Sequence, residues 1–255
     1  MKLWRAIDLV LLLCLFANEV VAGTGRNNLS VCFDLANACD DWQAGFADYP
    51  AGQESFFELA AQCADSSTNA NRGVFLSGAN HSDDLFMFIK HPVSGLKPAK
   101  NYFVEASIEI LSKAPTNCIG VGGDPGMSVY VKFGASTVEP VPVIQTNGYV
   151  RMNVDIGSQS NSGSNAVVIG NIATTSTNCF NEHYELKRLQ SPAPLAAQSD
   201  ADGTLWIFAG ADSGFEGRTS LFFTQANIRI RPAHADEDEN SNNDNDSPRR
   251  DHQHL

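Results

Sequence analysis

The chain has no apolar run long enough to cross a bilayer as a helix and no cluster of Lys and Arg outside the Arg249-Arg250 pair. The longest apolar stretch, Leu9 to Phe16, is well short of the roughly 20 residues a spanning helix needs, so a transmembrane anchor is not expected. Lys and Arg number 17 against 29 Asp and Glu, a formal net charge of −12. That sign argues against nucleic acid and against anionic membrane surfaces as partners. No Cys-x-x-Cys pair and no His-Glu-x-x-His run is present, so neither a dithiol redox centre nor a zinc hydrolase is indicated. Long helical periodicities between strands are also missing, which sets aside parallel crossover folds and their nucleotide sites. The Gly-rich string CIGVGGDPG precedes a strand pattern rather than a helix, so it satisfies neither phosphate-binding fingerprint.

At the N-terminus, Lys2 and Arg5 precede the apolar stretch, and small residues end at Val20-Val21-Ala22. This is the pattern of a secretory signal peptide over residues 1–22, cut after Ala22. Leu12 and Leu13 stand before Cys14 where a lipoprotein signal carries small residues, so lipid attachment is not expected. From Pro232 onward the chain is acidic, Asn-rich and nearly free of apolar residues. Residues 232–255 are therefore expected to be a disordered tail that cannot offset the entropy of ordering. The tail's seven acids and two arginines carry five of the twelve negative charges, the signal segment cancels, and the body keeps about −7. Residues 23–231 are enough for one sizeable core and are read as a single domain.

Five cysteines remain after the expected cleavage: Cys32, Cys39, Cys63, Cys118 and Cys179. In an exported protein these read as structural bridges. The expected pairs are Cys118 with Cys179 and Cys39 with Cys63, which leaves Cys32 as a free thiol; spacing alone does not fix this connectivity.

Alternation of period two runs through NYFVEASIEIL, where Val104, Ala106, Ile108 and Ile110 share one face. That is a half-buried strand. MSVYVKFG and QANIRIR repeat the pattern, and LSVCFDL, GVFLSG, LFMFIKH, GYVRMNV, AVVIGNI, TLWIFAG and SLFF are shorter candidates bounded by turn residues. The result is an all-β domain of roughly ten strands, mainly antiparallel and closed face to face as a sandwich. QESFFELAAQCA fits a helix or a strand equally.

The strings FDLANACDDWQAGF, VSGLKPAKNYFVEASIEI and SLFFTQANIRI resemble the opening, middle and final strands of galactose-binding-like jelly rolls, an architecture common among carbohydrate-binding modules. SDDLFMFIKHPVSGLKP, CIGVGGDPGMSVYVKFGASTVEP and DADGTLWIFAGADSGFEG resemble an uncharacterised family of exported bacterial proteins, over roughly residues 42 to 230. The first resemblance implies an antiparallel jelly-roll-like β-sandwich and a sugar ligand; the second implies no activity. The Asp pair expected before the closing strand is replaced by Gln225-Ala226-Asn227.

Candidate site residues follow from residue chemistry. In DDWQAGFADYP, Trp42 and Tyr49 stand among acids. An exposed aromatic ring can cover the C–H face of a sugar while carboxylates accept from its hydroxyls. The competing reading puts Trp42 and Phe46 in the core, with Tyr49 as the exposed member. Asp212 and Glu216, on the Gly-bounded string GADSGFEG, are expected as further ligand contacts from an adjoining loop. A serine triad at Ser213 is rejected, because neither the flanking glycines nor a matching His is present. Asp200 and Asp202 precede Gly203 at a spacing that can offer oxygens to a structural calcium, the one cofactor suggested, although the six to eight ligands required are not in view. Asp-Gly turns also occur without metal. The adjacent Asp83 and Asp84 are expected to end a turn rather than act as a pair.

Together these features point to an exported, non-catalytic binding module with a glycan as its ligand, residing in the periplasm, at the cell surface or outside the cell. The alternatives are a structural or adhesive envelope protein, whose partner would be another envelope protein, and, less favoured, a hydrolase using loop acids.

Overall fold

The computed structural model describes residues 20–22, 28–65 and 72–233. The expected signal segment lies outside this range except for its last three residues, and the expected tail lies outside it beyond residue 233. In chain order the strands are β1 (Val20–Ala22), β2 (Leu29–Phe33), β3 (Gln43–Ala47), β4 (Tyr49–Pro50), β5 (Ala60–Asp65), β6 (Arg72–Ala79), β7 (Leu85–Val93) and β8 (Asn101–Ser112). They continue as β9 (Val129–Ser136), β10 (Pro142–Ile144), β11 (Tyr149–Met152), β12 (Ala166–Asn171), β13 (Glu185–Gln190), β14 (Leu195–Gln198), β15 (Leu205–Ser213) and β16 (Arg218–Pro232). One turn of 3-10 helix at Cys39–Asp41 is the sole helix among the described residues.

All pairings are antiparallel, as expected of an all-β sandwich. One sheet is organised by β16, which pairs with β2 and β6 along one edge and with β8 along the other; β5, β13, β14 and β1 complete it. The opposing sheet runs β12-β9-β15-β7-β3, and β10-β11-β4 form a small third sheet. SLFF and QANIRIR, read as two strands, are one: β16 passes through both with a register shift between Phe223 and Gln225. The shift lets one strand serve two partners on one edge, because a bulge sharpens local twist. QESFFELAAQCA resolves into turns followed by β5. Sixteen strands stand among the described residues where roughly ten were expected: the ten candidate strings cover nine of them, and β1, β3, β4, β5, β10, β13 and β14 make the other seven, of which β1, β4, β10 and β14 have too few residues to show an alternation.

The main core lies between the two large sheets. Val104, Ala106, Ile108 and Ile110 of β8 point into it, as do Leu85, Met87 and Ile89 of β7 and Leu205, Ile207, Ala209 and Ala211 of β15. The five-stranded sheet is also covered on its outer face. There Phe86, Phe88 and Phe208 form a second cluster with Val154 and Ile156 of the connection 153–165. Glycines on that face make room for the rings: a Cβ on Gly134 would lie 2.0 Å from Phe208 Cζ, and one on Gly45 would lie 2.5 Å from Phe88 Cζ. Neither separation is tolerated in a packed interior.

Cys118–Cys179 and Cys39–Cys63 are the expected disulfides. Cys32 corrects the expectation of a free thiol. It is disulfide-bonded as well, and no described cysteine is free. Cys118 and Cys179 are 61 residues apart, so removing their bond by Cys118→Ser and Cys179→Ser together should cost about 4 kcal/mol by the loop-entropy relation. A fall in the urea midpoint, with a slope that rises because the unlinked unfolded chain exposes more surface, checks this.

Candidate functional site

The residues expected to bind ligand separate in three dimensions. Trp42 and Tyr49 are 8% and 7% exposed. Trp42 packs edge-on against Phe33 and tilts against His91, with ring centroids 5.2 and 5.3 Å apart. Tyr49, expected to be the exposed member, lies against Phe57 and donates its hydroxyl to Glu54 at 3.3 Å. Burial raises the Tyr49 phenol's pKa, and the Glu54 charge raises it further. Both rings belong to the main core cluster, and a turn at Asp48 (φ 69°) joins β3 to β4. Burial in the same interior lowers the His91 pKa.

Asp212 was placed on a flexible loop by the sequence; it is instead the eighth residue of β15 and 1% exposed. Glu216 does lie on the following loop, where its backbone N–H donates to Val121. Asp200 Oδ1 accepts from the backbone N–H groups of Asp202 and Thr204 at 2.9 and 2.7 Å, a self-contained turn. Among the described residues no group of three or more His, Cys, Asp and Glu is placed to hold a metal ion.

The outer face of the five-stranded sheet carries most of the chemistry. In β15 the inward set Leu205, Ile207, Ala209 and Ala211 leaves Trp206, Phe208, Gly210 and Asp212 facing outward. In β9 the same alternation presents Lys132, Gly134 and Ser136, and in β7 Phe86, Phe88 and Lys90. The connection 153–165 crosses this face as a strap. It is organised by Asp155, which accepts from the backbone N–H groups of Gly157 and Ser164 at 3.0 and 2.8 Å. Those donors lower the Asp155 pKa.

Lys132 fastens the strap. Its ammonium, fully buried, meets Asp212 Oδ2 at 2.7 Å and donates to the carbonyls of Ile156 and Asn161 at 2.8 and 3.2 Å. Those three contacts match the three donors a lysine carries. Asp212 Oδ2 also accepts from the Gln159 backbone N–H at 2.9 Å, and the Gln159 side chain donates to Asp83 O at 2.8 Å. Asp48, Asp83 and Gln159, with φ of 69°, 66° and 46°, all take the left-handed backbone around this point. Such conformations cost energy and persist where neighbours fix them. Arg151 donates to Asp48 Oδ1 at 2.6 Å and Asp84 Oδ2 at 3.1 Å. Burial raises the pKa of Asp48 and Asp84, against the pull of Arg151.

Farther along the same face, Trp206 belongs to neither core cluster. Trp206 is half-buried there, with Lys90 Nζ 5.5 Å from its ring centroid. Lys90, a buried side chain, reaches Glu139 at 2.6 Å. Gln43, exposed, is the cross-strand neighbour of Lys90. Ser136, opposite Trp206 in register, leads to a cavity of about 270 Å³ lined by Asn101, Ser136, Thr137, Asn165 and Gln198 over Ala135, Ala196 and Ala197. No charged side chain lines it. The Trp206 position was missed, yet the alternation of TLWIFAGADS places it opposite the core set; the cavity has no such signal, because its residues come from four separate segments.

No protein-family model matches the chain, and no curated protein matches it. Solved structures similar to it include a family 61 carbohydrate-binding module in complex with β-1,4-galactotriose (13% identity, 73% of this chain and 86% of that one, TM-score 0.33). A family 27 module studied for mannan recognition (12% identity, 79% and 95%, TM-score 0.35) is another. A third is the family 11 module of a cellulosomal cellulase of Clostridium thermocellum (10% identity, 76% and 88%, TM-score 0.31). The antiparallel sandwich rests on the strand pairings described above.

Replacing Lys132 by Met leaves Asp212 without its cation in the interior, which should cost about 3–5 kcal/mol. Lys132→Met with Asp212→Leu should recover a large part of that loss. Urea unfolding of the two variants beside the native chain measures both.

Proposed function

We propose that this protein is an exported carbohydrate-binding module whose ligand lies on the open part of the five-stranded sheet's outer face. The observation that carries this reading is Trp206, a half-buried indole on a sheet face whose register partner Ser136 also lines an uncharged cavity of amides and hydroxyls, where β8 and β14 of the other sheet meet the end of β9. An indole offers a broad apolar surface for the C–H side of a pyranose. Asn101, Asn165 and Gln198 each carry donors and an acceptor, the complement of neighbouring sugar hydroxyls. Gln43 and the Lys90–Glu139 pair supply further polar contacts on the opposite side of the ring. Because the cavity wall is uncharged, a neutral oligosaccharide fits it better than a uronate. Disulfides at Cys39–Cys63 and Cys118–Cys179 support an oxidising compartment outside the cytoplasm. The acids a hydrolase would use, Asp48, Asp84 and Asp212, are engaged with Arg151 and Lys132, which favours binding over catalysis.

One observation favours a second reading, an envelope protein that meets another protein. Ile119, Val121 and Phe180, on the loops joined by Cys118–Cys179, are 104%, 65% and 89% exposed.

A glycan array followed by calorimetry tests the first reading. Trp206→Ala should weaken binding to a neutral oligosaccharide by about tenfold or more, as loss of a stacking aromatic does, with the melting temperature nearly unchanged. Absence of any glycan ligand, or equal affinity in the variant, would overturn it.

A further inference from the structure

Two buried carboxyl oxygens have no hydrogen-bond partner: Asp84 Oδ1 and Asp212 Oδ1. Their sister oxygens are engaged, Asp84 Oδ2 by Arg151 and Asp212 Oδ2 by Lys132 and Gln159. Asp84 directly precedes Leu85, the register partner of Ser213, so it stands beside Asp212 where β7 and β15 pair, and the two carboxyl groups interact. Two ionised carboxylates in that position repel and leave both oxygens unsatisfied, a costly arrangement in an interior. If one carboxyl is protonated, its O–H donates to the other and both oxygens are satisfied.

Charge balance points the same way. The cluster contains Asp48 from the β3–β4 turn, Asp84 from the entry to β7, Asp212 from β15, Lys132 from β9 and Arg151 from β11. Three acids and two cations leave one negative charge, which one proton neutralises. A divalent cation would overshoot to net positive, and no three-ligand group exists among the described residues. The remaining groups nearby are Asp155 of the strap, whose exposed carboxylate also faces Lys132, Asp83 beside Asp84, and Tyr130, the register partner of Asp212.

We propose that Asp84 keeps its proton in the folded chain and donates it to the Asp212 carboxylate, and that this hydrogen bond latches the 153–165 strap onto the sheet. The strap depends on the pair because Asp212 receives both the Lys132 ammonium that holds Ile156 and Asn161 and the Gln159 backbone N–H. Burial, with the charges of Asp212 and Asp48, pushes Asp84 up to about 8. In the unfolded chain the same carboxyl ionises near its ordinary value of 3.8. Its folded pKa is thus raised, so the stabilisation is complete below about pH 4. It declines as pH rises toward about 8 and changes no further above that. On ionisation the proton passes to solvent, two like charges face each other beneath the strap, and the Phe86, Phe88 and Phe208 face loses its cover. The proposal does not depend on the ligand.

Carboxyl carbon NMR of the folded native chain tests it directly. One aspartate resonance should titrate near pH 8 and be missing in Asp84→Asn. The melting temperature of the native chain should fall between about pH 5 and 8, while Asp84→Asn, whose amide donates to Asp212 at every pH, should be flatter over that window. At pH 9 the Gln159 amide should exchange faster in the native chain than in the variant. If every aspartate titrates below about pH 6, the proposal fails whether or not the variant folds. It fails equally if Asp84→Asn keeps the native pH slope, or if added calcium restores native stability at pH 9.

Discussion

An ammonium and a carboxylate placed on a sheet face with side-chain exposures of 0% and 1% impose a strict condition on everything around them. Taking both charges out of water costs several kcal/mol each, and their attraction compensates only when the remaining hydrogen-bonding capacity is filled. Lys132 meets that condition through two strap carbonyls, whereas Asp212 meets it only at Oδ2, through a strap N–H, and leaves Oδ1 unpaired. The strap therefore cannot be anywhere else while the pair is buried. With the strap in place, Val154 and Ile156 cover Phe86, Phe88 and Phe208; without it, three aromatic rings would face water beside an unsatisfied ion pair. The polar clamp and the apolar cluster stabilise each other.

Covering both faces of one sheet changes what its strands look like. β7 is buried residue after residue from Leu85 to Lys90, so its pattern is a continuous apolar run rather than an alternation. Its outward rings need space above the neighbouring strands, and the glycines at 45, 134 and 210 provide it. β8, in the opposing sheet, keeps half-buried residues between its buried ones and reads as a one-sided strand. Trp206, on the same outer face, belongs to neither core cluster and stays half-buried. The functional proposal follows from that difference: the same face is a second core where it is covered and an open surface where it is not.

Most of the strands were legible in the amino-acid sequence because a strand's signal is local. The alternation in NYFVEASIEIL and MSVYVKFG follows from a two-residue repeat that needs no partner to define it. The antiparallel class followed from the absence of crossover helices, and the Cys118–Cys179 and Cys39–Cys63 pairs were named correctly. Fusion of SLFF and QANIRIR into β16 was not legible, since a bulge has no residue signature of its own there.

The candidate site was legible only in part. Local composition singled out Trp42 and Tyr49, yet burial is decided by what packs against a side chain, and Phe33, Phe57 and His91 come from elsewhere in the chain. Asp212 was recognised as a chemically significant acid, but its partner Lys132 is 80 residues away in sequence and adjacent only through the β9–β15 register. The sequence determined the strand periodicity, the net negative charge and the cysteines available for bridging, all properties of residues and their near neighbours. Only the tertiary structure decided which of two faces was covered, which aromatic stayed at the surface and which charges were buried together, because each of those depends on contacts between segments that chain order does not bring close.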